Sequence, residues 1–300
     1  MKIVVAGGTG FIGKKLVEDL SSENEVLVLT RGEKKDDKTV KYIKWDPYKQ
    51  DTDFLANTIS GYDAVINLTG ESIANKRWSK KEKDLILKSR IMSTRHIVES
   101  IGKAKERPKI LVNSSAVGYY KKNTDEILDE NSGISTDFLS KTCIMWENEA
   151  MKAAKFGVSV SIIRAGIVIG KGGILERLDK IVRYGFSAYN TDQWLSWIDL
   201  EDLSDLIRFI VYRNLNGPFN AVSPNPVQMK DLFSMLAEIE NKRRLIRIPS
   251  FAVNLLLGEM GRLLLFSSQK AMPKKAIDSG FSFRNTDLKA ALLKYLKTDN

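Results

Sequence analysis

Residues 3–13, Ile-Val-Val-Ala-Gly-Gly-Thr-Gly-Phe-Ile-Gly, decide the fold of this chain. Their apolar first part predicts a buried strand, and the residues after Gly13 continue as a helix. Three glycines lie where the strand turns into the helix. Gly7 suits a tight turn, Gly10 lets the backbone approach a pyrophosphate, and Gly13 lets the helix pack closely on the strand. Because amides at a helix N-terminus favour an anion, the stretch predicts a dinucleotide-binding turn.

The end of the second predicted strand, residues 25–30, indicates which dinucleotide binds. An NAD-specific site places Asp or Glu there to accept hydrogen bonds from the ribose hydroxyls, whereas this chain has Thr30 and Arg31. A guanidinium at this point suits a 2′-phosphate. The alternative interpretation is a solvated basic turn, and the nearby Glu33 is an observation against a phosphate site. We predict NADP, in its reduced form NADPH, rather than NAD.

Strand and helix patterns alternate along the first two-thirds of the chain. Apolar runs rich in β-branched residues predict further strands at 40–45, 64–68, 109–113 and 158–164. Such alternation predicts an α/β fold, a Rossmann-type doubly wound parallel sheet, followed by a smaller, mostly helical C-terminal region. We place the two domains at residues 1–247 and 248–297. The apolar run 251–266 is too short and too interrupted to span a bilayer, and it predicts a helix packed on the main domain or on another subunit.

The composition is that of an ordinary globular protein, with 43% hydrophobic and 28% charged residues. A single cysteine, Cys143, excludes an internal disulfide, and a single histidine, His96, leaves too few ligands for a usual zinc site. We predict that Cys143 is a small buried hydrophobic residue and that His96, on a polar helix, lies at the surface. Because Met1 directly precedes the first strand, we expect no targeting peptide and a cytoplasmic location.

Positive charge is concentrated near the C-terminus. The chain has a net charge of +10, and residues 241–300 hold 12 Lys and Arg against 4 Asp and Glu. Such a surplus is typical of a surface for an acidic partner, an anionic ligand or a membrane, and the alternative is a solvated face. We expect an acidic protein partner or a homodimer through this region. No basic stretch is interleaved with aromatic residues, so we expect no nucleic-acid binding.

Motifs along the whole chain together resemble the extended short-chain dehydrogenase/reductases. More closely, the chain is similar to the YfcH-type epimerase family, some members of which carry the label of the cell-division inhibitor SulA, with its small C-terminal domain of unknown function. The motifs of this closer resemblance are 67–71, 76–78, 89–90, 146–147, 193–197, 220–226 and 248–295. The resemblance implies NADP binding and an unknown small-molecule substrate. The cofactor contacts that we predict are Gly7, Gly10, Phe11, Ile12, Gly13, Thr30, Arg31, Leu68, Thr69, Gly70 and Arg90.

The catalytic pair of that family is missing. Its enzymes use a Tyr-x-x-x-Lys pair, and none of the nine tyrosines here is followed by lysine four residues later. Alignment on 146–147 places Leu139 and Cys143 at the tyrosine and lysine positions. Ser115 matches the family serine that binds the substrate carbonyl, and Tyr119 is the candidate proton donor, assisted by Arg90 or Lys76. The alternative is that Tyr119 only lines the pocket.

Two functions of different classes therefore stay open. One is an NADP-dependent oxidoreductase or nucleotide-sugar epimerase-like enzyme with an unusual proton donor. The other is a non-catalytic dinucleotide-binding protein that acts through a protein partner. The retained Ser115 favours the enzyme, and the missing pair favours the binding protein.

Overall fold

A seven-stranded, wholly parallel sheet forms the centre of the molecule. The computed structural model describes residues 1–123, 125–189 and 192–296. The strand order is β7-β6-β5-β4-β1-β2-β3. The strands are β1 (Lys2–Ala6), β2 (Glu25–Thr30), β3 (Val40–Lys44), β4 (Ala64–Asn67), β5 (Ile110–Ala116), β6 (Ser159–Ala165) and β7 (Gly217–Ala221).

Helices connect the strands and cover both faces of the sheet. They are α1 (Phe11–Ser21), α2 (Thr52–Ile59), α3 (Lys80–Lys103), α4 (Phe138–Met151), α5 (Gly173–Arg183), α6 (Leu200–Arg213), α7 (Met229–Ile239), α8 (Ser250–Leu257), α9 (Glu259–Leu265), α10 (Lys274–Asp278) and α11 (Leu288–Leu296). Short 3₁₀ turns occupy Val117–Tyr119 and Lys152–Phe156. Two-residue and three-residue strands add small ribbons at Ile127–Leu128, Ile167–Ile169, Phe186–Ser187, Trp194–Leu195, Trp197–Asp199, Val227–Gln228, Ile246–Arg247 and Lys270–Ala271.

The apolar runs form strands because both of their faces are buried. Alternate residues of β1 point to opposite faces, so that Ile3 and Val5 pack in a core with α1 and α6, while Val4 and Ala6 pack in a second core with α2 and α3. This two-sided burial confirms the predicted Rossmann-type doubly wound fold. Since β1 pairs with β2 on one side and β4 on the other, the order in which successive strands are added to the sheet reverses beside β1, and this opens a crevice at the carboxyl ends of these strands.

The C-terminal region packs on the preceding chain. Val253 of α8 and Phe266 share a small core with Ala188, whereas Phe251 and Leu255 on the outer side of α8 are 75% and 76% exposed. Helix α11 joins the core of α5 and α7. The domain boundary at 247/248 stays a prediction, and its last residue, 297, lies outside the described residues. Within the described ranges, the helices are all too short or too polar to cross a membrane.

Candidate functional site

The glycine turn after β1 shows the geometry that the three glycines require. Gly7 has a φ of +84°, and a Cβ there would lie 2.9 Å from the Leu68 carbonyl. A Cβ on Gly13 would overlap the Gly7 carbonyl and lie 2.6 Å from Gly8 Cα, so only glycine lets α1 pack this closely. At Gly10, by contrast, a Cβ would meet only the Gly7 oxygen, at 3.3 Å. The protein itself does not require glycine at residue 10, and the space in front of it is open to a ligand.

Helix α1 begins beside that open space. Gly10 is its N-cap, and no side chain caps the helix. The Gly10 amide donates to the Gly7 carbonyl at 3.0 Å, and the helical ladder starts with Lys14 N donating to the Gly10 carbonyl at 2.9 Å. Phe11 and Ile12 precede that bond, so their amides lie in the uncapped first turn. The arrangement fits a phosphate group at the helix N-terminus.

A cleft of about 210 Å³ lies at the carboxyl ends of β1, β2 and β4. It brings together seven of the predicted cofactor contacts, which are Gly7, Gly10, Thr30, Arg31, Leu68, Thr69 and Gly70. Phe11, Ile12, Gly13 and Arg90 lie outside its lining. The cleft also has a side that the sequence did not suggest, formed by Trp45, Pro47, Tyr48, Glu71, Ser89 and Ser93.

Arg31 lies at the β2 side of the cleft. It is exposed, and within the described part of the chain it makes no hydrogen bond or ion pair. The Glu33 carboxylate, whose negative charge was an observation against a phosphate site here, is paired with Lys44 at 3.1 Å. Tyr48 lies close enough for the two to interact: burial raises the pKa of Tyr48, Asp46 raises it further, and the Arg31 charge lowers it. A guanidinium without a partner at this position fits an anionic group.

Hydrogen bonds between buried side chains fix the β4 side of the cleft. The Asn67 side-chain amide donates from Nδ2 to Asn113 Oδ1 at 2.7 Å and to Thr94 Oγ1 at 2.9 Å. Asn67 Oδ1 accepts from the Thr69 amide at 3.1 Å, and the Thr69 hydroxyl donates to it or to Ser93 Oγ, 2.7 Å away. This network holds the backbone of Thr69 and Gly70 against helix α3.

Arg90 lies directly behind Gly70. A Cβ built on Gly70 would be 3.0 Å from the Arg90 guanidinium carbon, and Arg90 donates to the carbonyls of Glu71 and Ile86, each at 3.0 Å. Its guanidinium also lies 5.1 Å from the ring centre of Trp146. Burial lowers the pKa of Arg90. Arg90 is thus a half-buried cation held by carbonyl oxygens and an aromatic ring, next to the cleft but not in its lining.

Ser115 belongs to a separate buried network at the end of β5. Its hydroxyl donates to Glu147 Oε1 at 2.6 Å, and Glu147 forms a two-pronged ion pair with Arg164 at 2.9 and 2.8 Å. Arg164 also donates to the Tyr120 hydroxyl at 2.8 Å. Although burial alone would lower the pKa of Arg164, its hydrogen bonds to Glu147 raise it. With its proton directed at Glu147, the Ser115 hydroxyl presents only lone pairs to a further partner.

Tyr119 and Tyr120 differ in their surroundings. Tyr120 is fully buried and donates to Asn220 Oδ1 at 2.6 Å, and burial raises its pKa. Tyr119 is half-buried, and the Arg164 guanidinium lies 3.6 Å from its ring centre. The expectation that Arg90 or Lys76 supplies the cation beside Tyr119 is therefore wrong. The partner is Arg164, which comes from β6, far away in sequence.

Leu139 and Cys143, which the alignment on 146–147 places at the positions of the catalytic pair, both lie on α4. Leu139 lies against Gly118, where a Cβ would be 3.6 Å from Leu139 Cβ. Cys143 is buried, as predicted, and burial raises the pKa of its thiol to about 11. Neither side chain reproduces a tyrosine and lysine pair, because leucine does not ionise and a thiol with a raised pKa is uncharged at neutral pH.

His96 is not at the surface. It is 7% exposed, accepts from the Trp45 indole at 3.3 Å through Nδ1, and its Nε2 lies 2.8 Å from the Gln50 carbonyl. The prediction was wrong because the polar stretch of α3 faces the loop after β3, which sequence spacing does not reveal. His96 thereby supports Trp45, one of the cleft residues that no motif indicated.

A second cleft, of about 450 Å³, lies in the basic region. Tyr189 and Phe233 form an aromatic side with ring centres 5.6 Å apart. Its cations are Lys242, Arg243, Arg244 and Arg247, and in the described residues none of them has an ion pair.

Other cations of the basic region are neutralised by acidic residues earlier in the chain. Lys289 pairs with Glu238 at 2.7 Å, and Lys294 pairs with Glu201 at 2.6 Å. Part of the surplus is therefore structural, and the unpaired cations are concentrated at the second cleft.

Comparison with known families agrees with this architecture. Residues 3–221 match the NAD dependent epimerase/dehydratase family, and residues 248–294 match a domain of unknown function, DUF1731. Because the first match covers most of the chain, the chain belongs to the NAD dependent epimerase/dehydratase family.

Three relatives are similar over nearly the whole length. The epimerase family protein YfhF of Bacillus subtilis is 37% identical, with 97% of each chain covered. The chloroplastic SDR39U1 homolog of Arabidopsis thaliana, also named as an epimerase family protein, is 35% identical over 97% of this chain and 86% of its own. The crystal structure of human epimerase family protein SDR39U1 with NADPH superposes with a TM-score of 0.86, at 27% identity, covering 99% of this chain and 100% of the human one.

Proposed function

We propose that this member of the epimerase family binds NADPH in the cleft beside β1 and transfers hydride between the nicotinamide and a small, anionic substrate. The observation that carries the proposal is the cleft itself. It joins a helix N-terminus at Gly10 that no side chain caps to the Arg31 guanidinium, which makes no hydrogen bond or ion pair with the described residues. These are the two groups that a pyrophosphate and a 2′-phosphate require.

The choice of NADPH over NADH rests on two further supports. Among the described residues, the β2 side is lined by Leu29, Thr30 and Arg31, so the free ribose hydroxyls of NADH would find no carboxylate acceptor there. The carboxylate in the cleft lining, Glu71, follows β4 instead, and Glu33 is engaged by Lys44. The human relative was crystallised with NADPH. Gly7, Gly10, Phe11, Ile12, Thr30, Arg31, Leu68, Thr69, Gly70 and Arg90 would hold the dinucleotide, and Gly13 would shape the turn.

For the chemistry, bound NADPH would supply the hydride and the protein a proton. Tyr119 is the proposed donor, through its phenolic Oη. Of the two tyrosines in the loop after β5, Tyr119 is half-buried and keeps solvent access, whereas Tyr120 is buried and donates its hydroxyl hydrogen bond to Asn220. Ser115 is the proposed contact for the substrate oxygen. Because the Ser115 hydroxyl donates its proton to Glu147, in this conformation it can only accept a hydrogen bond from a substrate hydroxyl. To donate to a substrate carbonyl, the Ser115 hydroxyl must rotate away from Glu147.

The second cleft supports an anionic substrate. Four cations beside two aromatic rings suit a phosphate-bearing, ring-containing molecule, such as a nucleotide sugar.

The test is a screen for NADPH oxidation with nucleotide sugars, ketones and quinones, followed at the NADPH absorbance. With a substrate in hand, Tyr119→Phe should lower kcat about 100-fold or more, the scale of losing a general acid, with little change in NADPH affinity. Retained kcat in Tyr119→Phe would reject Tyr119 as the donor and leave hydride transfer standing.

One observation favours a second candidate, a dinucleotide-binding protein without catalysis. Leu139 and Cys143 stand where the family has its catalytic pair, and the Cys143 thiol is protonated and buried. In this function NADPH would stabilise a surface for a protein partner, and the unpaired cations at 242–247 would favour an acidic one. Tight NADPH binding together with no oxidation across the whole screen would support this candidate over the enzyme.

A further inference from the structure

The segment 267–272 of the C-terminal region crosses the carboxyl ends of the sheet and is bonded to earlier loops on both sides. We call it the clasp segment. Its residues Lys270–Ala271 pair in parallel with Ile127–Leu128, and the Met272 amide donates to the Leu128 carbonyl at 2.8 Å. Ser268 and Gln269 are each only 8% exposed, so the clasp segment is built into the interior.

On one side the clasp segment binds the loop that follows β5. The Gln269 side-chain amide donates to the carbonyls of Val117 at 2.6 Å and Tyr120 at 3.2 Å. Ser268 and Asn123 form a reciprocal pair: the Asn123 amide donates to the Ser268 carbonyl at 2.8 Å, and the Ser268 amide donates to Asn123 Oδ1 at 3.1 Å. The loop 117–123, which contains Tyr119, is thus bonded at both of its ends.

On the other side the clasp segment is anchored to residues 194–196. The Trp194 amide donates to Ser268 Oγ at 2.9 Å, and the Gln269 amide donates to the Trp194 carbonyl at 3.2 Å. The Ser196 hydroxyl donates to the Gln269 carbonyl and accepts from the Ala271 amide, both at 2.8 Å. The Gln269 backbone is held by its bonds to Trp194 and Ser196. Its side chain is therefore fixed in the position from which it donates to the loop 117–123.

We propose that the clasp segment gives the C-terminal region its role, which is to hold the loop 117–123 in place, with Gln269 as the positioning residue for Tyr119. Val117 is half-buried and Tyr120 is buried. Within the described residues, removal of the Gln269 amide takes the donor from the Tyr120 carbonyl and leaves the Val117 carbonyl with the Tyr120 amide alone, at 3.0 Å. The consequence for catalysis rests on the proposed function of Tyr119. The positioning itself does not, and it can be measured without a substrate.

The experiment is hydrogen exchange of the full chain, read at the bonded amides of Tyr120, Lys121 and Asn123. Gln269→Leu should speed their exchange about 10- to 100-fold, the scale of losing two buried hydrogen bonds, with β5 amides unchanged. Asn225→Leu is the matched control. The Asn225 side-chain amide donates to the Thr286 carbonyl in the C-terminal region and does not contact the loop 117–123.

Gln269→Glu separates hydrogen bonding from packing. At neutral pH its carboxylate would face two carbonyl oxygens, and the loop should exchange as fast as in Gln269→Leu. Once protonated, the carboxyl can donate one hydrogen bond, and burial should raise its pKa. Protection of the loop, compared with wild type at each pH, should therefore recover on acidification in Gln269→Glu but not in Gln269→Leu.

Unchanged loop exchange in Gln269→Leu would overturn the proposal, and so would equal acceleration in β5 or a pH-independent Gln269→Glu. A wild-type chain that fails to bind or oxidise NADPH would count against the proposed function and leave this exchange result unaffected. The two ideas are thereby tested apart.

Discussion

Arg31→Ala tests the cofactor assignment most directly. Arg31 is exposed and makes no bond within the described residues, so its removal should change the free energy of unfolding by less than about 0.5 kcal/mol. Any loss of affinity in this variant then reflects the lost contact between Arg31 and the ligand and not a change in the fold. A charge-assisted contact to a 2′-phosphate contributes about 1.5–3 kcal/mol, and at 1.4 kcal/mol per factor of ten the Kd for NADPH should rise about 10- to 150-fold.

The assay is calorimetric titration with NADPH, NADH and 2′,5′-ADP at fixed, low salt, since screening weakens an exposed charge contact. NADH should bind Arg31→Ala about as well as wild type, and 2′,5′-ADP should lose as much affinity as NADPH. Lys35→Ala is the matched control, an exposed cation of the same turn outside the cleft lining. Equal losses for NADPH and NADH would refute the reading of Arg31 as the phosphate contact.

Three further outcomes follow from particular contacts. Gly10→Val should abolish NADPH binding but keep the fold, because a Cβ there meets only the Gly7 oxygen; micromolar binding would reject the phosphate cradle. Cys143 should react with a thiol reagent very slowly at pH 8, where about one thiol in a thousand is ionised, and faster as pH rises toward its pKa of about 11. Glu147→Gln should lower the free energy of unfolding in urea by about 3–5 kcal/mol, since Arg164 loses its buried counter-charge, whereas a loss below about 1 kcal/mol would show that the pair is not isolated from water.

The fold and the cofactor side of the site could be predicted because their signals are local. A strand buried on both faces is a continuous apolar run, and the turn after β1 needs glycine at residues 7 and 13, only six residues apart. Seven predicted contacts accordingly meet in one cleft. The sequence analysis missed the cleft residues of the loop after β3. Trp45 and Tyr48 belong to no motif, and only the folding of this loop beside β2 places them in the cleft lining.

The other half of the site is built from residues far apart in sequence. Glu147 from α4, Arg164 from β6 and Asn220 from β7 meet at the end of β5 through side-chain geometry that no spacing rule encodes. The same limitation explains the two errors. His96 was assigned to the surface because its helix is polar, and Arg90 or Lys76 was expected beside Tyr119, whereas the cation there is Arg164, because β6 pairs with β5 and places Arg164 opposite Ser115.

The cleft is built from local sequence signals and the end of β5 from distant side chains. This difference explains why the family resemblance predicts cofactor contacts more readily than catalytic residues. A dinucleotide is held by backbone amides and one exposed cation, so the cleft tolerates wide sequence change as long as the glycines stay. The proposed proton-transfer side depends on individual side chains, and here Glu147, paired with the buried Arg164, accepts the hydrogen bond of the Ser115 hydroxyl. Such a pair is expensive to bury, and replacing it with apolar residues could stabilise the chain. Its presence beneath Tyr119 is therefore better explained by a task at the site than by stability, and the Tyr119 and Gln269 variants examine that task from its two sides.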